Sequence, residues 1–184
     1  AFTYTAGSLA VTKLSASVTV TDTTQDYTGS VLGVTATPSV EDLTVNVVYR
    51  DSTGALVASP TAKGTYYVNA SIDDLNYAGT EMGTLTITKA TTTLDLADLA
   101  DVVYSTTPIT LQSTATGDRP VLYFVTGSAS TVGNVVTLKS VGSVSVTAYV
   151  AGTDDYESAY VAKTFTVTKA PTSVLMADAS DGYT

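Results

Sequence analysis

The stretch TITKATTTLDLADLAD, residues 86–101, combines two patterns that point to different structures. Its first half alternates apolar and polar side chains, which is typical of a half-buried strand. Its second half places Asp95, Asp98 and Asp101 three residues apart, as in one stripe of a helix or a set of metal ligands. The stretch alone therefore leaves three interpretations open: a helix, a calcium site, or a joint between two domains.

An internal repeat decides between them. Residues 7–22, 83–98 and 163–178 align without a gap, and each contains an alternating strand, Thr-Lys, a small-residue joint, a second short strand and an aspartate. Asp98 recurs as Asp22 and Asp178, whereas Asp95 does not recur. The sequence therefore predicts a strand, a joint, a second strand and a turn. If the turn holds a metal, Asp98 is the first residue to mutate.

The repeat also sets the predicted domain boundaries. Each unit runs from just after one Thr-Lys to the next, which gives domains at 14–89 and 90–169. Residues 1–13 would be the last strand of a preceding repeat, and residues 170–184 the first strand of a following one. We expect these partial strands to be ordered only by pairing, either with neighbouring repeats of the same protein or with an adjacent chain.

Composition favours an all-β fold. The 184 residues are rich in Thr and Val and include 12 Tyr, all of which suit pleated strands, and Gly or Asx clusters separate short apolar runs. Residues 51–54, DSTG, predict a tight hairpin connection. We predict strands at 15–21, 31–37, 43–50, 55–58, 65–72, 82–88, 92–96, 109–115, 121–125, 135–139, 143–150 and 162–168. Five or more short strands in each unit predict a β-sandwich.

Charge and missing residue types exclude several functions. The net charge is −9 and the basic residues are scattered, so we predict that nucleic acid is not a partner. The sequence has no His and no Cys, which removes the usual zinc ligands and the usual nucleophile–base pairs. The acidic pairs at 73–74 and 154–155 lie in predicted turns, where Asp usually bonds its own backbone. We predict no enzyme.

Membrane and sorting signals are not evident in the sequence. Apolar runs are too short to span a bilayer, and the first residues lack a basic region followed by an apolar stretch. We interpret the chain as a fragment of an exported protein.

Two families share the motifs of these units. Residues 15–89 resemble the MBG-type repeat of bacterial surface proteins through DYTG at 26–29, LTVNVVY at 43–49, AKGTY at 62–66, NYAG at 76–79 and GTLTITK at 83–89. Residues 91–169 resemble a bacterial immunoglobulin-like repeat through PVLY at 120–123, GNV at 133–135, VGSVSVTAY at 141–149, AGTDDY at 151–156 and FTV at 165–167. The resemblance implies tandem immunoglobulin-like β-sandwiches in a large adhesin at the bacterial cell surface, with a structural or binding role.

Calcium is the cofactor that the acidic residues suggest. The carboxylates could converge if the 98–101 loop and the 153–158 loop meet at one end of the second domain, and calcium prefers several oxygen ligands. The candidate ligands are Asp98, Asp101, Asp154, Asp155 and Glu157. We expect no other cofactor. Lysines and asparagines for an intramolecular crosslink are present, but their spacing singles out no pair.

The predicted function is a non-catalytic stalk or spacer that projects a binding region from the cell. The alternative is a sugar- or protein-binding module, which requires exposed aromatic side chains. Alternation along the strands leaves Tyr67 and Phe124 outside as candidate binding residues. Tyr77 and Tyr156 precede the last strand of their units, where they could form a tyrosine corner or simply pack in the core.

Overall fold

The structure is a computed structural model that describes Gly7 and residues 10–173. Within these residues the chain is all-β, with eighteen strands and one short 3-10 turn at Thr116–Asp118. It forms two compact units. Unit 1 extends to Thr91 and includes the segment Thr153–Glu157, and unit 2 contains Thr92–Gly152 and resumes at Ser158. Among the described residues, none form a helix with the length and apolar character that a membrane crossing requires.

Unit 1 contains the first nine strands. They are β1 Leu14–Ser15, β2 Val18–Thr21, β3 Thr24–Asp26, β4 Thr35–Pro38, β5 Val45–Arg50, β6 Leu56–Val57, β7 Gly64–Ile72, β8 Tyr77–Ala78 and β9 Thr80–Thr88. β2 pairs antiparallel with β4, β1 pairs parallel with β8, and the remaining strands form a sheet in the order β3-β9-β7-β5-β6. The five-stranded sheet and the β2-β4 pair supply the two layers of a sandwich.

The chain crosses from one layer to the other between β2 and β3. Asp22, which lies at the crossing, has a φ of 58°, a left-handed conformation that Asp tolerates better than most residues. Beyond it, β3 pairs parallel with the last strand, β9, instead of continuing beside β4. The successive strands β2 and β3 therefore belong to different sheets.

Unit 1 has two core clusters. One contains Ala16 and Val18 from the start of the unit and Ala70 and Ile72 from β7. The other contains the four buried side chains Tyr66, Val68, Leu85 and Ile87. Alternation explains both clusters, because every second residue of β7 points inward.

Tyrosine hydroxyls bond to backbone at the margin of the second cluster. The Tyr66 hydroxyl donates to the carbonyl of Ala62 at 2.8 Å, and the Tyr49 hydroxyl accepts from the N–H of Val34 at 2.9 Å. Tyr77 packs against the first cluster. Of the two roles expected for Tyr77, core packing is therefore the one observed. A tyrosine corner requires a hydrogen bond from the hydroxyl to an upstream carbonyl, and in unit 1 Tyr66 makes such a bond.

Unit 2 contains the other nine strands. They are β10 Leu94–Leu96, β11 Val102–Val103, β12 Ile109–Thr110, β13 Ser113–Ala115, β14 Leu122–Gly127, β15 Ala129–Val132, β16 Val135–Leu138, β17 Gly142–Val150 and β18 Ala159–Thr168. β10 pairs with β13, and two larger sheets have the orders β12-β16-β15 and β11-β18-β17-β14. As in unit 1, the strand that follows the first turn, β11, pairs parallel with the last strand, β18.

A single, mostly aliphatic cluster fills unit 2. Leu96, Val136 and Leu138 face Val144 and Val146 across the two layers, and Phe165 completes the cluster. Five of these six side chains come from alternating positions of β16, β17 and β18. Each unit is therefore an immunoglobulin-like β-sandwich, as the sequence predicts.

Most of the long strands lie where the sequence places them. The DSTG connection is confirmed: the N–H of Asp51 donates to the carbonyl of Ala55 at 3.0 Å, and β5 pairs with β6. The prediction for 31–37 is wrong at its start, because the strand begins only at Thr35. Before that, the N–H groups of Leu32 and Val34 donate to the Pro60 carbonyl and the Tyr49 hydroxyl, which are not ladder partners.

The predicted terminal strands lie mostly outside the described residues. Residues 10–13 and 169–173, which the structure does describe, carry no strand. Pairing of the two ends with neighbouring repeats therefore stays a prediction.

Candidate functional site

The loop at 97–101 is fastened to β18 by its two aspartates. The ammonium of Lys163 donates to Oδ1 of Asp98 at 2.6 Å, and the N–H of Thr166 donates to Oδ1 of Asp101 at 2.6 Å. The hydrogen bond from Lys163, and then its charge, lower the pKa of the Asp98 carboxyl below its ordinary value. Both carboxylates hold the turn between β10 and β11 in place.

The other three candidate ligands belong to the segment Thr153–Glu157 of unit 1. Its turn is formed by the hydroxyl of Thr153, which accepts from the N–H groups of Asp155 at 3.3 Å and Tyr156 at 3.1 Å. The Asp155 carbonyl accepts from the N–H of Ala90 at 2.8 Å, and the N–H of Glu157 donates to the Ala90 carbonyl at 2.9 Å. Backbone groups of this acidic segment thus pair with the chain that leaves β9.

A matching turn precedes the last strand of unit 1. Oδ1 of Asp74 accepts from the N–H groups of Asn76 at 2.7 Å and Tyr77 at 2.9 Å. The position that Asp74 occupies in the first repeat is occupied by Thr153 in the second. In the acidic pair at 73–74, Asp74 therefore forms the turn as the sequence predicts. At 154–155 the turn is formed by the preceding Thr153 instead.

The described residues contain no group of three or more Asp or Glu side chains arranged to hold a metal ion. A cation at Asp98 would have to compete with the ammonium of Lys163. The calcium hypothesis for Asp98, Asp101, Asp154, Asp155 and Glu157 stays a prediction. A calcium titration of the unfolding temperature, with a chelator as control, tests it because a ligand that binds the folded state raises that temperature.

Alternation places the two candidate binding residues on the outside of their sheets. Tyr67 and Phe124 are each 56% exposed, whereas Tyr66 is buried and Tyr123 packs against the core of unit 2. The Tyr123 hydroxyl makes a hydrogen bond with the hydroxyl of Ser113. The burial expected from alternation is confirmed, and binding by Tyr67 and Phe124 stays a prediction.

The sequence reasoning missed an apolar row beside Phe124. Leu122, Tyr149 and Tyr160 lie directly opposite one another across β14, β17 and β18. Tyr160 is 78% exposed, and Phe124 lies on the same face, two residues along β14 from Leu122. The signal was present in the alternation of β18, whose outward positions include Tyr160, but the predicted strand began too late at 162 to include it.

These observations define an all-β chain of two immunoglobulin-like sandwich units, in which Asp74, Asp98 and Asp101 fix turns. A protein-family comparison agrees for the first unit: residues 16–91 match the family model described as MBG domain. This match supports the MBG-type repeat that the motifs of residues 15–89 indicate. A comparison with curated protein sequences finds no match.

Several solved structures show a distant likeness. Drosophila N-cadherin EC1-3 has 15% identity and a TM-score of 0.35, over 86% of this chain and 69% of that one. The fibronectin(III)-like modules of Clostridium thermocellum CbhA have 18% identity and a TM-score of 0.34, over 83% and 94%. BT4661, a SusE-like surface located polysaccharide binding protein from Bacteroides thetaiotaomicron, has 13% identity and a TM-score of 0.29, over 83% and 34%. The strand pairing described above, rather than these likenesses, establishes the fold.

Proposed function

We propose that the chain is a non-catalytic spacer from a large exported bacterial surface protein, an adhesin, whose repeats hold a binding region away from the cell. The observation that carries the proposal is that, in both units, a strand near the start of the unit pairs with its last strand. In each, the strand after the first turn pairs parallel with the last strand, β3 with β9 and β11 with β18. Each unit thus joins its own beginning to its own end.

The short connection between the units supports the same function. Only residues 89–93 separate β9 from β10. Because the reach of a flexible linker grows with the square root of its length, a connection this short leaves the units little freedom to move apart. The match of residues 16–91 to the MBG domain and the motifs shared with surface-protein repeats support an extracellular location. The partners of such a spacer are the neighbouring repeats of its own protein.

The spacer proposal is tested in the surface protein that carries this chain. Deleting residues 14–169 should reduce adhesion of intact cells, and an unrelated pair of β-sandwich domains of similar length should restore it. Antibodies against the chain should label intact cells. Loss of adhesion that the unrelated pair does not restore would contradict the proposal, as would labelling only after the cells are opened.

Ligand binding is the second candidate function, and the row Leu122–Tyr149–Tyr160 with neighbouring Phe124 favours it. Aromatic faces exposed side by side suit a sugar ring or an apolar peptide. If this function is correct, the chain binds on a glycan array and the double variant Phe124→Ser/Tyr160→Ser does not. Val132→Ser is the matched control, because Val132 is also exposed but lies on β15 in the other sheet of unit 2.

A further inference from the structure

Unit 1 shows how a tyrosine at the end of a sandwich is covered. The N–H of Tyr27, just after β3, donates to the carbonyl of Thr88 at 2.9 Å. The ring of Tyr27 meets the ring of Tyr156 edge to face, with centroids 5.5 Å apart and planes at 80°. Tyr156 lies in the segment Thr153–Glu157 of the same unit, which is bonded through its backbone to Ala90.

Unit 2 ends in the same way. The N–H of Tyr104, just after β11, donates to the carbonyl of Thr168 at 2.9 Å, and Lys169 and Ala170 follow as Lys89 and Ala90 follow Thr88. The side chain of Tyr104 is 36% exposed. It borders an open depression of about 350 Å³ together with Val141 and Lys169.

The depression in unit 2 has a counterpart in unit 1. That counterpart, of about 370 Å³, is lined by Lys63, Lys89 and Glu157 among others. Lys89 corresponds to Lys169 in the repeat. In unit 1 the acidic segment that carries Tyr156 therefore contributes to the lining, through Glu157.

The chain also carries a second loop of the kind that supplies Tyr156. Residues 74–78 contain Tyr77 at the equivalent place. Leu14 of β1 pairs parallel with Tyr77 of β8, just as Ala90 forms a parallel bridge with Tyr156. The N–H of Leu14 donates to the Asn76 carbonyl at 2.7 Å, which matches the bond from Ala90 to Asp155. We call residues 74–78 the tyrosine loop.

We propose that the end of unit 2 around Tyr104 is a docking site for the tyrosine loop of a second copy of unit 1 that follows Lys169 in a head-to-tail row. Lys169 would then take the place of Lys13, whose ammonium donates to the carbonyl of Asp74 at 2.7 Å in this chain. Tyr77 of that copy would meet Tyr104 as Tyr156 meets Tyr27. Lys169 gives the site a positive charge toward a loop that contains Asp74 and follows Asp73. Such a contact joins different surfaces of the two copies, so it extends into a row of repeats rather than closing a dimer. The inference rests on the proposed spacer function.

A tandem chain tests this proposal without depending on concentration. Residues 1–169 are joined directly to residues 14–184 of a second copy, so that the junction Thr168-Lys169-Leu14 reproduces the spacing of Thr12-Lys13-Leu14. A double-mutant cycle combines Tyr104→Ala in the first copy with Tyr77→Ala in the second. The unfolding equilibrium of each variant is measured in urea. We expect a coupling of roughly 2- to 10-fold in the equilibrium constant, the range of aromatic pairs.

Three controls make the result decisive. The cycle between Tyr27 and Tyr156 in the single chain gives the reference coupling. Tyr160→Ala in the first copy replaces Tyr104→Ala as an exposed tyrosine away from the site, and should show no coupling with Tyr77. Tyr→Leu variants replace any alanine variant that does not fold.

A Tyr104–Tyr77 cycle without coupling overturns the docking site, whether or not the reference cycle couples. Equal coupling for Tyr160 also overturns it. Because the adhesion assay with an unrelated domain pair does not depend on Tyr104, the spacer function can survive the loss of this inference.

Discussion

Unit 1 and unit 2 share one strand arrangement but fill it with different side chains. In both, the chain leaves the first sheet at a turn, and the strand after that turn, β3 or β11, pairs parallel with the last strand of the unit. Unit 1 encloses two small clusters edged by tyrosines, among them Tyr49 and Tyr66, whose hydroxyls bond to backbone. Unit 2 encloses one aliphatic cluster, in which Val144 and Val146 are fully buried.

Strand pairing and alternation thus preserve the architecture while the side chains of the core change. Cores tolerate extensive exchange of apolar side chains when the pattern and total volume are kept. The two solutions differ in where they are vulnerable. Unit 1 depends on tyrosine hydrogen bonds to backbone, and unit 2 depends on aliphatic packing. Each unit also has a close backbone approach at a glycine, Gly79 in unit 1 and Gly127 in unit 2.

The largest effect is expected where unit 1 brings two backbone segments together. A Cβ at Gly79 would lie 1.8 Å from the carbonyl oxygen of Ala16, whereas the second repeat has Ser158 at this position. Gly79→Ser should therefore lower the free energy of unfolding of unit 1 by about 3 kcal/mol, measured by urea denaturation. Gly83→Ser is the control, because a Cβ there makes only an ordinary contact with Val20 at 3.9 Å. Equal losses in the two variants would contradict the argument.

The next effect concerns the tyrosine hydroxyls. Tyr49→Phe leaves the half-buried N–H of Val34 without its acceptor and should cost about 2 kcal/mol. Tyr123→Phe in unit 2 removes a bond to the hydroxyl of Ser113, which can rotate toward another partner, and should cost about 1 kcal/mol or less. Thermal unfolding of both variants gives the two values. A larger loss at Tyr123 would show that unit 1 does not depend more on its hydroxyls.

A smaller effect is expected at the turn before the last strand. Asp74→Ala removes the acceptor for two backbone N–H groups and should cost about 1 kcal/mol, whereas Asp74→Thr should retain part of the stability because Thr153 forms the same turn in the second repeat. Asp73→Ala is the matched control, since the bond of Asp73 to Thr44 uses its backbone N–H. If threonine is no better than alanine, the two turns are not interchangeable.

The smallest effect is a pH dependence in unit 2. The hydrogen bond and charge of Lys163 lower the pKa of Asp98, so this pair stabilises the fold above the ordinary pKa of 3.8 and its contribution is lost as pH falls through the lowered value. Lys163→Met should return the pKa of Asp98 toward 3.8, as followed by NMR titration of the carboxyl carbon.

Asp51 in unit 1 provides the control for that titration. Its pKa is lowered mainly by the hydrogen bond from the hydroxyl of Thr53, so Lys163→Met should leave it unchanged. A shift at Asp51 as large as that at Asp98 would mean that the variant has altered the protein beyond the ion pair.

The sequence predicted the long strands because their patterns are local. β7 and β17 alternate over nine residues, and that alternation alone identifies the inward side chains. β3 and β11 were missed for a physical reason. β3 is the polar tripeptide Thr24–Asp26, and it is a strand only because β9 supplies its hydrogen-bond partners from a distant part of the chain.

The candidate site was predictable only in part. Alternation gave the exposure of Tyr67 and Phe124, and turn chemistry gave the role of Asp74. The partner of Asp98 was not evident, because Lys163 is 65 residues away and becomes a neighbour only once β18 is in place. The row across β14, β17 and β18 likewise requires cross-strand pairing that spacing does not reveal.

The parallel pairing of β3 with β9 has a mechanical consequence. A force that pulls the two ends of unit 1 apart acts along these strands, so their hydrogen bonds are loaded together in shear instead of being opened one at a time. Three residue pairs carry that load between β3 and β9, whereas two carry it between β11 and β18. Under tension the first unit is therefore expected to yield after the second, and a chain built from such repeats would lengthen in steps rather than all at once.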